Sequence, residues 1–308
     1  QPKPKKTKSP SKGDHKMPKK ITIVSAAALV LLSVITAILL TATANSRAAV
    51  PRRVSVYLPE RGEILTMSYD EFLTGCVTGL TGGENLADEA LTAVAAAENS
   101  RAIYTLSVKR GFENMGADFT VGADFPFIDS EKPDERVTNA VRTAEKLLLT
   151  LDGEPINAQM CGMSSGRTDE CPPISCSVAL PCDIGAEGFE SRTAFTTEEV
   201  RRALHKSGTI SPDCSEWFAN AVYADTGTLL YIEFNGERIT GAALKQAFGL
   251  RSVAITVEYT EDKFRFTCLG LGENKGMSIN GADFMAKNGS TAEEILRTFY
   301  SGAELERF

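Results

Sequence analysis

An α+β fold is predicted for the body of this chain, on three observations. Apolar residues recur at helical spacing in some segments and alternate as in half-buried strands in others. Strand-like runs follow one another through Asp-Gly and Asn-Gly turns, the signature of antiparallel hairpins. No strand–helix–strand rhythm of a parallel sheet appears.

The elements follow in order. VSVYL (54–58) alternates and is a predicted strand; SYDEFL then opens a helix, with Ser68 as its N-cap. GCVTGLTGG (75–83) is expected as a turn between two helices. From Ala87 to about Arg110 runs a long helix whose alanines at 90, 93 and 95–97 suit close packing against a neighbour. GADFTVGADFPF (116–127) is expected as loop, and DERVTNAVRTAEKLL (134–148) as an amphipathic helix leading into a hairpin that turns at Asp152-Gly153. Residues 162–195 are turn-rich and strand-poor. Thr196 and Glu199 form a capping-box pattern at the head of a helix reaching Lys206. Strands NAVYAD, TLLYIEFNG and ERITG follow, then the short helix GAALKQAFGL and a hairpin from SVAITVEY and KFRFTCL. Two helices close the chain: GADFMAKNG, ending at Gly289, and one starting with a second capping box at Ser290-Thr291-Ala292-Glu293.

Charge divides the sequence. Residues 1–20 hold eight lysines and one aspartate, a local +7 within a chain whose net charge is −7, which leaves −14 on the rest. Such an acidic body argues against nucleic acid, whose phosphates require Lys and Arg. ITIVSAAALVLLSVITAILLTATA (21–44) has no charged residue and would make about 36 Å of helix, enough to cross a bilayer with tilt. The lysines before it place the N-terminus in the cytoplasm and the body outside. A cleaved signal peptide, with small residues at Ala42–Ala44, is the rival reading. The run exceeds the roughly 7–15 residues of a signal core, which favours an uncleaved anchor. Translation is expected to start at Met17 as an alternative to a longer tail. The organisation is then a basic tail (1–20), a transmembrane helix (21–44), a linker (45–53) and one domain (54–308).

Seven cysteines occur, at 76, 161, 171, 176, 182, 214 and 268, four of them within 161–182. One or two disulfides, ordinary thiols and a metal cluster all stay open, the last weakened by the lack of any CxxC pair. With only His15 and His205 available, His-based metal sites and a Ser-His-Asp triad are nearly excluded. His205 sits on a charged helix face, RRALHK, and is expected at the surface. No cofactor or resident metal is expected.

Four stretches resemble, in order, the sporulation protein D (SpoIID/LytB) family. EFLTGCVTGLTGG with DEALTAVAAA resembles Glu-Tyr-Val-x-Gly-Val-Val-Ala-Ala-Glu-Met-Pro followed by Glu-Ala-Leu-Lys-Ala-Gln-Ala. LTLDGEPINAQMCGMSSGRTDE resembles Tyr-Asp-Gly-Lys-Pro-Ile followed by a Ser-Gly-Gly-Arg-Thr-Glu signature. NGERITGAALKQAFGLRS resembles the segment ending in Gly-Leu-Arg-Ser. GLGENKGMSINGADFMAKNGSTAEEILRTFYSG resembles Gly-x-Gly-His-Gly-Val-Gly-Met-Ser-Gln-x-Gly-Ala and its continuation. The blocks cover about residues 54–305. The resemblance implies a single N-terminal membrane span, a domain outside the cytoplasmic membrane and lytic cleavage of peptidoglycan glycan strands stripped of their stem peptides. It further implies action in forespore engulfment beside an amidase and a membrane scaffold.

The departures fall on proton-handling positions. Lytic cleavage needs a general acid for the leaving oxygen, and the family's glutamate aligns with Leu80, or with Thr81 after a one-residue slip. Cys161, Glu273 and Ile279 stand where the family has His, His and Gln, and Asn99 where it has Arg. Ser164, Ser165, Gly166, Arg167, Thr168, Gly270, Gly272, Gly276, Met277 and Ser278 remain. Of these, Ser164, Ser165, Arg167, Thr168, Gly272, Gly276, Met277 and Ser278 are the candidate substrate contacts. The plainer alternatives are loop geometry for the glycines and a buried pair for Arg167. Glu84 and Glu273 are candidate replacement acids, each requiring desolvation, and Cys161 lacks a nearby histidine to activate it. Trp217, Phe125, Phe127, Tyr223 and Tyr300 are candidate sugar-stacking faces, Trp217 being read first as core. The expected function is a membrane-anchored wall protein that binds glycan strands with little or no cleavage. The alternatives are an active transglycosylase with a relocated acid and a non-enzymatic envelope assembly subunit.

Overall fold

The computed structural model describes residues 50–82, 84–108, 116–122, 125–127, 134–204 and 210–307. The basic tail, the apolar stretch 21–44, most of the linker and His205 lie outside the described residues. No helix among the described residues is long and apolar enough to cross a membrane.

The chain enters through a hairpin of β1 (Arg53–Leu58) and β2 (Glu63–Ser68), with β3 (Phe119–Thr120) parallel to β1. Alternation in RVSVYL buries Val54, Val56 and Leu58 on one face. Ser68 ends β2 and caps α1 (Tyr69–Thr81): its side chain accepts from the Glu71 N–H while the Glu71 carboxylate accepts from the Ser68 N–H, a full capping box. The expected turn at 75–83 is corrected here. The helix continues through Leu80 to Thr81 and stops at Gly82, which takes the left-handed conformation (φ 59°). Gly75 and Gly79, which suggested a turn, are instead four apart on one helical face. A Cβ on Gly75 would sit 2.3 Å from the Phe127 ring, and one on Gly79 would sit 3.0 Å from the Pro126 backbone. The glycines admit the 125–127 segment rather than break the helix.

Helix α2 (Asp88–Val108) is the hub of this part of the body, touching α1, α3 (Glu135–Ala144), β4 (Leu147–Leu151), α6 (Ile279–Lys287) and α7 (Ala292–Phe299). Its alanines at 90, 93, 95, 96, 97 and 102 are fully buried, and small side chains are what let several elements approach one helix. Polar residues of α2 then tie those neighbours down. Asn99 Oδ1 accepts from Tyr69 Oη (2.9 Å) and its Nδ2 donates to the Leu147 carbonyl (3.0 Å); Ser100 Oγ accepts from the Leu149 N–H (2.9 Å). β4 pairs with β5 (Glu154–Pro155) through the expected Asp152-Gly153 turn, both residues at positive φ, and with the C-terminal β14 (Glu304–Arg307).

One contact in this part is set by a proton. Glu145, at the C-cap of α3, meets Asp70 in the first turn of α1, and its buried Oε1 has no donor. Burial first, then the hydrogen bond and repulsion from Asp70, raise its carboxyl to about 7, against the pull of Arg142 and Lys146. The raised value describes a proton on Glu145, shared with Asp70 through that hydrogen bond. The folded value lies above the unfolded one, so this contribution is present at acid pH and lost as pH rises through about 7. Glu145→Gln, which needs no proton, is expected to match the parent at pH 5 and to exceed it by about 1 kcal/mol at pH 8, after allowance for solvent screening. Urea midpoints at the two pH values measure this; equal midpoints at pH 8 would count against the shared proton.

The rest of the body has its own core. β7 (Glu190–Thr196) pairs with β12 (Lys263–Leu269), which pairs with β11 (Ala254–Thr260); β8 (Phe218–Tyr223), β9 (Leu229–Phe234) and β10 (Glu237–Thr240) form a second antiparallel sheet. Between them lie Trp217, Leu229, Ile232, Phe234, Phe264 and Phe266, with Val200 of α4 (Thr197–Ala203) and Leu244 and Phe248 of α5 (Gly241–Phe248). Trp217 is core as read from the sequence: it stacks on Phe264 at 5.4 Å and donates Nε1–H to the Ser211 carbonyl. The strand-poor reading of 162–195 holds up to Glu190, where β7 begins. ESRTAFT is mostly polar because it is an edge strand, exposed along most of its length and paired only with β12. The Thr196–Glu199 capping box is present as expected. The last one is shifted by one residue, to Thr291 and Glu294, because Thr291 rather than Ser290 supplies the extended cap.

Candidate functional site

The two family-like signature loops meet between these parts. β6 (Met160–Cys161) and β13 (Met277–Ser278) pair in parallel, which sets the Ser-Ser-Gly-Arg segment beside the Gly-Met-Ser segment. Gly276 sits where the strands touch: at φ 68° its Cα is so close to Gln159 that a Cβ would overlap the Gln159 carbonyl.

At the centre is a residue with no sequence signal, Asp183, fully buried. Its Oδ2 accepts from the Ser164 N–H (2.8 Å), Ser164 Oγ (2.6 Å) and Ser278 Oγ (2.9 Å), and its Oδ1 accepts from Asn280 Nδ2 (2.8 Å). Both serine hydroxyls accept in turn, Ser164 from the Gly166 N–H and Ser278 from the Gly281 N–H, which leaves their own protons for the carboxylate. A buried carboxylate met only by donors is a satisfied charge. Asn274, also buried and at φ 57°, forms a second tie. Its Oδ1 accepts from the Ser165 N–H (3.0 Å), and its Nδ2 donates to the Arg167 carbonyl (3.1 Å) and to Thr228 Oγ1 (3.0 Å). Asp169 accepts from Thr226 and Thr228 and fixes the same corner to the turn that leads into β9.

The candidate contacts therefore divide by what they face. Ser164, Ser278 and Thr168 are fully buried, the last bonded to the Cys176 carbonyl at 2.6 Å and to the Val178 N–H. Met277 is buried, and Gly272, at φ 106°, lies against Cys161. Ser165 is partly exposed and donates to the Thr226 carbonyl (2.7 Å). Arg167 is exposed, contrary to the buried-pair alternative. Glu84 is exposed one turn beyond the end of α1, and Glu273 is exposed and ion-paired with Lys245 of α5 at 2.8 Å. Leu80 is half-buried in the last turn of α1.

The cysteines and aromatic residues resolve several alternatives. Cys171 and Cys176 form a disulfide, and no metal-ligating group of His, Cys, Asp and Glu occurs among the described residues. Burial pushes the Cys161 thiol far up, helped by Asp183 and Asp169, so it is not a nucleophile at neutral pH. Cys76 is likewise raised by burial. Of the stacking candidates, Trp217, Phe125 and Tyr300 are buried and offer no face to a ligand; Tyr223 is 40% exposed and Phe127 is partly exposed over Gly75. Asp183, Asn274 and Lys245 were not singled out by sequence reasoning. Asn274 carried the one usable signal, an Asn flanked by Gly272 and Gly276 in a tight loop.

The comparisons agree with the motif reading. The chain is 26% identical over 179 residues to stage II sporulation protein D of Bacillus subtilis, covering 56% of this chain and 51% of the relative. It is 24% identical over 178 residues to stage II sporulation protein D of Bacillus amyloliquefaciens, with the same coverage. No family model matches. The chain spans about half the length of the curated relatives it matches. These matches support a SpoIID-like family for the chain.

Proposed function

We propose that this chain is a sporulation protein held at the outer face of the cell membrane by residues 21–44, where it binds peptidoglycan glycan strands and cleaves them little or not at all. The observation that carries the reading is hydrocarbon at the acid position. Leu80, aligned with the family's glutamate, has no proton to give a leaving oxygen. Neither rival supplies one readily. Glu84 and Glu273 are both exposed to solvent rather than set in a closed pocket, and Glu273 is held by an ammonium group. The signature loops are meanwhile fully tied, which supports a retained binding surface. Its work would be to hold glycan for partner enzymes, an amidase among them, and for a membrane scaffold of the engulfment machinery.

The test uses the full-length chain and glycan strands freed of stem peptides. Retention on the strands with no anhydro-muramic products is expected. Robust cleavage would overturn the reading, and loss of that cleavage by about 10²–10⁴-fold in Glu84→Gln or Glu273→Gln would then locate the acid.

A further inference from the structure

A cavity of about 650 Å³ lies on α5 beside the second signature loop, lined by Ala242, Ala243, Lys245, Gln246, Leu250 and Glu273. Its walls are fixed. Thr240 caps α5 by accepting from the Ala243 N–H, and the helix closes with the Leu250 N–H donating to the Lys245 carbonyl (2.9 Å). The loop is bound to the same segment through the Gly272 N–H to the Arg251 carbonyl (2.8 Å) and the Val253 N–H to the Gly272 carbonyl. Only the two charged side chains are loosely held. Lys245 is 26% exposed and Glu273 51% exposed, and they meet each other across the rim.

We infer that this cavity seats a carboxylate-bearing saccharide, with Lys245 as the residue that reads the ligand's carboxylate and the Glu273 carboxylate as its internal competitor. The inference rests on the glycan-binding reading and names its recognition element. A half-exposed ion pair contributes little, so exchanging its carboxylate for another is nearly free of cost. Lys245 is a compact charge on a flexible stem, suited to changing partners without moving the helix. Alanines at 242 and 243 leave room for a ring, Gln246 offers both a donor and an acceptor to hydroxyls, and Leu250 gives an apolar floor. The body is acidic overall, so a lysine turned into a cavity there selects the one ligand charge the surface would otherwise repel.

The experiment titrates the full-length chain with glycan oligosaccharides carrying free carboxylates and with the same oligosaccharides after carboxyl amidation. Lys245→Ala is expected to weaken binding of the free-carboxylate form by roughly tenfold or more, the scale of a lost charge-assisted hydrogen bond, and to leave the amidated form unchanged. Glu273→Gln, which removes the competitor while keeping its size, is expected to strengthen binding by up to about fivefold. Glu258→Gln, at an exposed position of β11, is a control for net charge and should do neither. If the parent binds both forms equally, or the Lys245 and Glu273 variants match it, the inference falls while the glycan-binding reading stands. Failure of the parent to bind either form would overturn both.

Discussion

Asp183→Ala is expected to destabilise the fold by about 3–5 kcal/mol, the scale of two or more buried donors left without an acceptor. The size follows from what is left behind. Asp183 gathers donors from two segments, and three of the four lie where water does not reach, since Ser164 and Ser278 are fully buried. Each buried donor left without an acceptor costs about 1–3 kcal/mol. The Ser164 N–H, fixed by its backbone, cannot turn to another partner. Asp183→Asn keeps one acceptor oxygen and adds a donor toward groups that are themselves donors, so it is expected to recover less than half the loss. Urea unfolding followed by tryptophan fluorescence measures both, Trp217 being the only tryptophan. A loss below 1 kcal/mol for the alanine variant would mean that water takes the carboxylate's place, and that the signature loops are not held by it.

That arrangement shows why the sequence was informative about some features and silent on others. Local chemistry was legible: the Ser68 and Thr196 caps, the Asp152-Gly153 turn and the alternation in β1 depend on residues within a few positions of each other. The alanine-rich α2 announced close packing because small side chains have few other uses in a helix that long. Where two distant segments decide the outcome, the reading failed. Gly75 and Gly79 suggest a turn when only the chain before and after is considered; their role depends on Phe127, about fifty residues away. β7 reads as loop because an exposed edge strand needs no apolar face, and its one partner is β12.

The candidate site divides along the same line. The signature loops were found by their motifs, yet motifs do not say which atoms face a ligand. Ser164, Thr168 and Ser278 are candidate substrate contacts in sequence because they keep the residues of the resembling family's signatures. In the fold those hydroxyls point inward, onto Asp183, Cys176 and Val178. Asp183 itself lies in ALPCDIGAEG, a turn-rich run with no periodicity to set one acidic residue apart. Lys245 is one of many lysines until α5 and the 270–276 loop are seen side by side.

Gly276→Ala is expected to be the most damaging single-methyl change in the described body, at about 2–5 kcal/mol. Two separate terms add. The backbone at φ 68° is left-handed, which an alanine adopts at a cost of about 1–2 kcal/mol. The new Cβ would also meet the Gln159 carbonyl carbon at 2.4 Å and overlap its oxygen, and these are backbone atoms that no rotamer change can move. Overpacking of that kind costs about 1–3 kcal/mol or forces the strands apart. Separation would break the Met277 N–H to Gln159 carbonyl bond (3.0 Å) and the β6–β13 pairing with it. Gly62→Ala is the matched control: its φ is 63° and nothing lies within 4 Å of its Cβ, so only the conformational cost of about 1–2 kcal/mol applies. The difference between the two urea-derived stabilities isolates the close approach. Equal losses would mean that the signature strands yield without cost, and that this glycine serves conformation alone.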